Sequence, residues 1–386
     1  MSSTLDLRKF VAPELIFGGG ARHLAGRYAK NFGSKCVLLV TDEGVKSAGI
    51  TEEVCDDLDD ARVQYEFFSD ILPNPRVNDV MKGAEFFSRK GCSAIVAVGG
   101  GSVIDCAKGI GIVSSNRLPI TEFVGVDRVM VPPPPLICVP TTAGSSADVS
   151  QFAIITDPKL RVKISIISKT LVPDVALIDP ETLLSLPPDL TAYTGLDVLT
   201  HAIEAYVSNA SSPLTDLHAL EAIRLICRNL EKTVKNPHNL TLRGHTMLAS
   251  LYAGFAFSNA SLGAVHAMAH GLGGYLDLPH GKCNALLLEA VIRYNYPIAG
   301  ERYANIGEAM GIPVWTLSDD ERCTALCNEI SRLKKSLNLG HSLGEIGVKQ
   351  EDVPSLADHA MHDVCMATNP RNATFEEIVA LYESLL

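Results

Sequence analysis

The sequence contains no apolar run long enough to cross a membrane as a helix. The most apolar stretches lie at residues 92–98 and 136–139, and both are far shorter than the ~20 residues that a span requires. The first residues also lack a basic segment followed by an apolar core, the pattern of a secretory signal. We therefore expect a cytoplasmic protein with no membrane partner.

Positive charge is also scarce. Lys and Arg total 33 against 44 Asp and Glu, which gives a formal net charge of −11. Proteins that bind a nucleic-acid backbone neutralise phosphates with basic side chains. The charge balance therefore argues against nucleic acid as the main partner.

The sequence has no Cys-x-x-Cys pair. The ten cysteines are scattered, and the nearest approach to this motif, Cys323 and Cys327, is one residue too long. This usage favours reduced thiols in a cytosolic protein over a disulfide framework.

Apolar residues, in contrast, are abundant. The chain has 386 residues, of which 47% are hydrophobic and 20% charged, so it can bury a large core and is not expected to be disordered. Its length predicts two to three domains at ~150 residues each. The double proline Pro187-Pro188 is the best candidate boundary, because proline ends one element and Asp189 can cap the next.

The two halves have different patterns. Residues 36–41, 94–98 and 136–139 read as strands buried on both faces, and residues 44–60 and 77–90 between them read as helices. This alternation predicts a parallel sheet covered by helices. Beyond Asp189 the pattern is helical, at residues 192–208, 216–235, 242–257, around His266 and at 284–295. The predicted fold class is an α/β, Rossmann-like nucleotide-binding domain at 1–187 followed by an all-α domain at 188–386.

A glycine-rich turn follows the second of these strands. Gly99, Gly100 and Gly101 precede Ser102, which can cap the next helix with Asp105 in a capping box. Glycines allow close approach to the backbone, and a helix start favours an anion such as a pyrophosphate. The turn matches neither G-x-G-x-x-G nor G-x-x-x-x-G-K-S, so a simple strand–helix turn remains the alternative.

Two further strand ends carry polar side chains. Asp42 follows the strand at 36–41, where an acid can accept hydrogen bonds from ribose hydroxyls and repel a 2′-phosphate. The alternative is a helix N-cap. Residues 140–146 follow the strand at 136–139 with hydroxyls and small residues, and they suit a second wall of the same cleft or a plain loop.

The helical half carries a set of histidines with a carboxylate. Asp197 and His201 stand four residues apart on one helix face, His266 and His270 repeat the spacing, and His280 lies between Pro279 and Gly281. One such histidine is usually a hydrogen-bonded core residue, but several buried imidazoles with a carboxylate are costly without a partner. A divalent cation would be that partner. One carboxylate with three imidazoles suits Fe²⁺, Zn²⁺ or Ni²⁺ better than Mg²⁺ or Ca²⁺, and the choice of iron or zinc stays open.

Several of these segments, in this order, resemble the iron-containing (group III) alcohol dehydrogenase family. The resemblance covers essentially the whole chain. It is carried by residues 17–21, 99–108, 140–144, 194–204 and 266–280, and by Asn369-Pro370-Arg371 with the helix that follows. The architecture it implies is that of iron alcohol dehydrogenases and dehydroquinate synthase.

The resemblance also implies a site. Four residues would be the metal ligands: Asp197, His201, His266 and His280. His270 would be a nearby catalytic residue that does not bind the metal. The NAD site would be formed by Asp42, Asn74, Gly100, Gly101, Ser102, Thr141, Thr142, Ser145 and Lys163. NAD and Fe²⁺, with Zn²⁺ as the alternative, are the implied cofactors, and a homodimer or larger homo-oligomer is the implied assembly.

The implied activity is interconversion of a primary alcohol or diol with its aldehyde, by hydride transfer from a metal-bound alkoxide to the nicotinamide. His270 would pass the proton to solvent, because the ordinary pKa of histidine, ~6.5, suits that task. A glycerol dehydrogenase or dehydroquinate synthase type enzyme on the same scaffold is one alternative. A non-catalytic metal- and nucleotide-binding sensor is another. A metallohydrolase would leave the turn at residues 99–102 unexplained.

Overall fold

The computed structural model describes residues 7–339 and 342–386 of the chain. Contacts divide it into two compact units. The α/β unit comprises residues 11–186 with 238–247, and the helical unit comprises 7–10, 187–237 and the described residues from 248 onward. The domain limits of 1–187 and 188–386 stay a prediction, and the two units are interleaved along the chain.

The α/β unit is built on a parallel sheet with the strand order β1-β9-β6-β4-β2-β3. These strands are β1 Glu14–Phe17, β2 Cys36–Val40, β3 Gln64–Phe68, β4 Ala94–Gly99, β6 Leu136–Pro140 and β9 Val175–Ile178. A smaller sheet contains β5 Gly125–Val126, β7 Phe152–Asp157 and β8 Val162–Ile167, in the order β5-β8-β7, with β7 antiparallel to β8.

The central strands are buried on both faces, as their unbroken apolar runs predict. Along β2, Leu38 belongs to one core cluster, whereas Val37 and Leu39 belong to the other. Successive side chains of a strand point to opposite faces, so the two clusters lie on opposite sides of the sheet. The predicted fold class, α/β followed by helical, is confirmed.

Helices connect the strands. They are α1 Ala25–Asn31, α2 Glu43–Ser47, α3 Ile50–Asp60, α4 Val77–Lys90 and α5 Gly101–Asn116. The prediction of one helix at residues 44–60 was wrong. Gly49 adopts a left-handed conformation, with φ 81°, which ends α2 and lets α3 begin at a new angle.

The strand order locates the place where a ligand is expected. From β2 the chain goes to β3 on one side and then to β4 on the other, so connections diverge between β2 and β4. In open α/β sheets, ligands bind at the carboxyl ends of the strands at such a switch point. Asp42 follows β2 and the glycine-rich turn follows β4.

The helical unit follows β9. Its helices are α6 Pro188–Val207, α7 Pro213–Lys235, α8 Leu240–Ala260, α9 Ala264–Leu276, α10 His280–Ala309, α11 Asp319–Ser336, α12 Val353–His362 and α13 Phe375–Glu383. The first turns of α8, up to residue 247, group with the α/β unit. Pro188 occupies the first position of α6, where proline costs no hydrogen bond.

Among the described residues, no single helix has the length and apolarity of a membrane span. Taken together, α8 and α9 reach that length and apolarity, but they are bent by 102° where they meet.

Candidate active site

The glycine-rich turn opens α5 at the carboxyl end of β4. Gly100 is the N-cap, in an extended conformation, and the helix begins at Gly101. The predicted capping box of Ser102 and Asp105 was wrong, because both residues lie inside the first turns. The Ser102 hydroxyl instead accepts a hydrogen bond from the Asn74 backbone N–H at 3.2 Å, and Asp105 accepts one from Ile154 at 3.2 Å.

The turn faces the loop that follows β6, and the two approach closely. A Cβ atom on Gly100 would lie 3.0 Å from Thr142 Cγ2, and one on Gly101 would lie 2.5 Å from Ser145 Oγ. A side chain at either glycine would force Thr142 or Ser145 to shift. Small residues here therefore let the two walls lie close together at a helix start, which is a favourable place for an anion.

Asn74 and Lys163 lie beside the glycine-rich turn. Asn74 lies before α4 with a left-handed φ of 58°, a conformation that asparagine tolerates well. Lys163 on β8 donates a hydrogen bond from Nζ to Asn74 Oδ1 at 2.8 Å. Since Asn74 also contacts Ser102, the structure brings these three predicted cofactor residues together.

Thr141 and Asp42 lie at the neighbouring strand ends. Thr141 is buried, and its N–H donates to the Gly99 carbonyl at 3.1 Å, which aligns the ends of β4 and β6. Asp42 is the N-cap of α2, because its Oδ1 accepts a hydrogen bond from the Val45 N–H at 2.9 Å. Capping is thus one role of Asp42, and it leaves the ribose interaction as a prediction.

The helical unit brings the predicted metal ligands together. Asp197 and His201 lie one turn apart on α6, His266 lies on the first turn of α9, and His280 begins α10. The Nε2 atoms of His201 and His266 are each 4.0 Å from Asp197 Oδ1, and that of His280 is 3.9 Å from it. One ligand atom from each of the four residues lies within 4.8 Å of every other.

This donor set fits a divalent transition metal. Ligand atoms about 2.0–2.2 Å from a shared ion lie roughly 3–4.4 Å from one another, which is close to the separations found here. Asp197, His201 and His266 are buried, whereas His280 has a side chain 24% exposed. A small ligand can therefore approach the set from the side of His280.

Burial sets the charge of the imidazole at the centre. It lowers the pKa of His266 to about 3, against a weaker opposing attraction from Asp197. His266 is therefore neutral near pH 7, the form in which imidazole binds a metal.

Glu204 is a residue that the sequence reasoning missed. It follows Asp197 and His201 on the same face of α6, at the i+7 position. Its Oε2 lies 2.6 Å from His266 Nδ1. Burial raises the pKa of Glu204 to about 7, while three backbone N–H groups at the start of α9 oppose that rise. The i, i+4, i+7 spacing was the available signal.

Asn284 was also missed. It lies one turn after His280 on α10 and is fully buried. Its Nδ2 lies 2.7 Å from Asp197 Oδ1 and 3.1 Å from His266 Nε2. The i, i+4 spacing from His280 was the only sequence signal, and it is weak for an amide in an apolar helix.

His270 lies beside the set with a carboxylate of its own. Its Nδ1 is 2.8 Å from Asp363 Oδ2, and its ring stacks on that of His280 with centroids 5.3 Å apart. Although burial raises the pKa of Asp363, attraction to His270 and hydrogen bonds bring it below the ordinary value. Asp363 thus stays ionised and orients the imidazole, which leaves Nε2 for a proton.

Two models of known families match the chain, one in each half. The model "Iron-containing alcohol dehydrogenase" matches residues 12–180, and "Fe-containing alcohol dehydrogenase family, C-terminal" matches residues 191–386. The chain belongs to the iron-containing alcohol dehydrogenase family. The resemblance seen in the sequence and the prediction of an enzyme are both confirmed.

Individual relatives are similar along nearly their whole length. The chain is 40% identical over 369 residues to a 1,3-propanediol dehydrogenase of Citrobacter freundii, covering 95% of each protein. It is 37% identical over 377 residues to an NAD-dependent methanol dehydrogenase of Bacillus methanolicus, covering 98% of this chain and 99% of that one. The crystal structure of a 1,3-propanediol oxidoreductase matches with a TM-score of 0.95 and 38% identity, over 99% of this chain and 100% of that one.

Proposed function

We propose that this enzyme is an NAD(H)-dependent, divalent-metal-dependent dehydrogenase that interconverts a small primary alcohol or diol with its aldehyde. The observation that carries the proposal is the convergence of Asp197, His201, His266 and His280 from three helices. The named activities of similar proteins, on propanediol and methanol, support the substrate class.

In this proposal the four side chains hold Fe²⁺, with Zn²⁺ as the alternative. When bound, the ion supplies Lewis acidity, which lowers the pKa of an alcohol hydroxyl and polarises an aldehyde carbonyl. One carboxylate and three imidazoles would balance only part of the charge of a divalent ion, which would favour negative charge on the substrate oxygen.

His270 is the residue that moves the proton. Asp363 accepts the hydrogen bond from Nδ1 at 2.8 Å, so Nε2 is available to take a proton released by the alcohol and pass it to solvent. NAD, when bound, would accept a hydride from the alcohol carbon, so the loss of one hydride and one proton would leave an aldehyde.

The α/β unit binds NAD in this proposal. Gly100, Gly101 and Ser102 at the start of α5 hold the pyrophosphate through backbone N–H groups, and Asp42 accepts from the adenosine ribose. Thr142 and Ser145 form the facing wall, while Thr141, Asn74 and Lys163 complete the site.

Metal analysis combined with turnover tests the proposal. Protein purified anaerobically should contain about one equivalent of Fe²⁺ or Zn²⁺ and should reduce short aldehydes with NADH. His266→Ala should lose both metal and turnover, because the centre of the donor set is removed. His238→Ala, at an exposed histidine, is the matched control. Full turnover in a metal-free preparation would contradict the proposal.

Two broader expectations stay predictions. Analytical ultracentrifugation of the metal-loaded enzyme tests whether it forms a homodimer or a larger homo-oligomer. Fractionation of cells that produce the enzyme tests whether it is cytoplasmic.

A further inference from the structure

The N-terminus of α9 is capped by side chains that are remote from it along the chain. The N-cap residue, Gly263, makes no side-chain capping bond. The Ala264 N–H donates to Asn369 Oδ1 at 3.1 Å, and the Val265 N–H donates to Glu204 Oε1 at 2.7 Å. Two residues remote in sequence therefore satisfy N–H groups that would otherwise lack partners within the helix.

Glu204 also contacts the next residue of α9 twice. Its Oε2 lies 3.3 Å from the His266 N–H and 2.6 Å from His266 Nδ1. A Cβ atom on Gly263 would lie 2.9 Å from Glu204 Oε1. Glycine at residue 263 thus permits the buried carboxylate to reach the helix end and the imidazole together.

The hydrogen bond to Glu204 selects a tautomer of His266. Glu204 accepts from the Val265 N–H through Oε1 and from the His266 N–H through Oε2, so both oxygens act as acceptors here and the imidazole proton lies on Nδ1. The lone pair is then on Nε2, the atom that lies 4.0 Å from Asp197 Oδ1. The ring is fixed at one nitrogen by Glu204 and presents the other to the donor set.

We propose that Glu204 is a positioning residue for the metal: it holds His266 in the ligating tautomer and makes its Nε2 a stronger donor. This inference rests on the proposed function, because it assumes that the four side chains bind an ion. Carboxylates that hold a ligating histidine in this way typically contribute 10–100-fold to metal affinity. The same carboxylate caps α9, so the orientation of the ligand is tied to the start of its helix.

The test measures metal affinity without turnover. Wild type, Glu204→Gln and Glu377→Gln are stripped of metal, and Co²⁺ and Zn²⁺ dissociation constants are measured by competition with a chromophoric chelator. Glu377 is a suitable control, because it is a capping carboxylate of α13, hydrogen-bonded to Tyr294 and Arg371 rather than to the donor set.

We expect Glu204→Gln to weaken binding of both ions by about 10–100-fold and to change the visible absorption of bound Co²⁺. Glu377→Gln should bind both ions as wild type does. A dissociation constant unchanged in Glu204→Gln, whatever its stability, would overturn the inference while leaving the proposed function intact. If wild type binds neither ion, the proposed function fails and this inference fails with it.

A second measurement needs no variant at Glu204. Long-range ¹H–¹⁵N NMR of histidine-labelled, metal-free wild type distinguishes the two imidazole tautomers, with His266→Gln used to assign the signal. We expect His266 to carry its proton on Nδ1. A proton on Nε2 would overturn the inference even if Glu204→Gln did not fold.

Discussion

The Asp42 carboxylate caps α2, and in the proposed function it also selects NAD over NADP. Suitable variants can distinguish these two roles. Asp42 Oδ1 accepts from the Val45 N–H at 2.9 Å. Asparagine caps a helix about as well as aspartate, so Asp42→Asn keeps the cap and removes the negative charge. This makes it the matched partner of Asp42→Gly, which removes both.

We predict that both variants lose discrimination against NADP, since the charge that repels a 2′-phosphate is gone. The ratio of kcat/KM for NAD to that for NADP should fall by at least about tenfold, which corresponds to ~1.4 kcal/mol. The measurement is steady-state kinetics with both cofactors. If the ratio is unchanged in both variants, Asp42 is only a cap.

Asp148 gives the α/β unit a distinct pH dependence. Burial raises its pKa to about 6, although its own backbone N–H and Lys108 oppose the rise. Folding therefore favours the neutral acid. The stabilising contribution is complete below the unfolded pKa of about 4 and is lost as the pH rises through about 6.

Asp148→Asn should remove this pH-dependent loss of stability, because asparagine stays neutral. Between pH 4 and pH 7 the free energy of unfolding of the variant should rise relative to wild type by roughly 2–3 kcal/mol. Urea unfolding at several pH values measures it, with the exposed change Asp60→Asn as the control. If the free energy of unfolding changes with pH in the same way in wild type and Asp148→Asn, the carboxyl group ionises without a cost in stability.

Among the helices, α6 contributes most to the donor set, and α10 packs directly against it. A Cβ atom on Gly281 would lie 2.2 Å from the carbonyl oxygen of Tyr193 on α6. Backbone cannot move aside as a flexible side chain can, so this glycine fixes the distance between the helices that carry Asp197 and His280.

We predict that Gly281→Ala destabilises the protein by about 1–3 kcal/mol through overpacking and weakens metal binding, since His280 is displaced. Gly244→Ala is the matched control within a helix, because the nearest atom to its Cβ would be Pro180 Cγ at 3.9 Å. Alanine there should be neutral or stabilising by up to about 1 kcal/mol. Urea unfolding and chelator competition measure both effects, and equal behaviour of the two variants would disprove the packing argument.

The elements show what a single sequence can predict. The strands β2, β4 and β6 were predictable because unbroken apolar runs leave few alternatives. The antiparallel pair β7 and β8 was not, since its pairing depends on partners that periodicity does not reveal. Asp197 and His201 were found from i, i+4 spacing, whereas Asp363 contacts His270 across 93 residues of sequence. Local patterns predict a face of a helix, but they do not predict which distant carboxylate lies against it.

At the scale of the whole molecule, the ten cysteines form no disulfide and none is exposed. Burial raises the pKa of several thiols, to about 11 for Cys55 and to about 12 for Cys227 and Cys327. Thiolates, the reactive form, are therefore rare near neutral pH.

We predict that the native enzyme reacts slowly with iodoacetamide at pH 8, while all ten cysteines react once it is unfolded in denaturant. Mass spectrometry of the alkylated protein gives the count. The reaction should accelerate as the pH rises towards the raised pKa values. Rapid modification of most thiols in the native protein would contradict the burial described above.

The cap that Asn369 places on α9 has a consequence for synthesis of the chain. This amide lies 105 residues beyond Ala264, the residue whose N–H it accepts. On the ribosome, α9 must wait for most of the remaining polypeptide to be translated before its first turn is complete. The sheet of a nascent chain can thus fold early. The first turn of α9, which carries His266, is completed only near the end of translation.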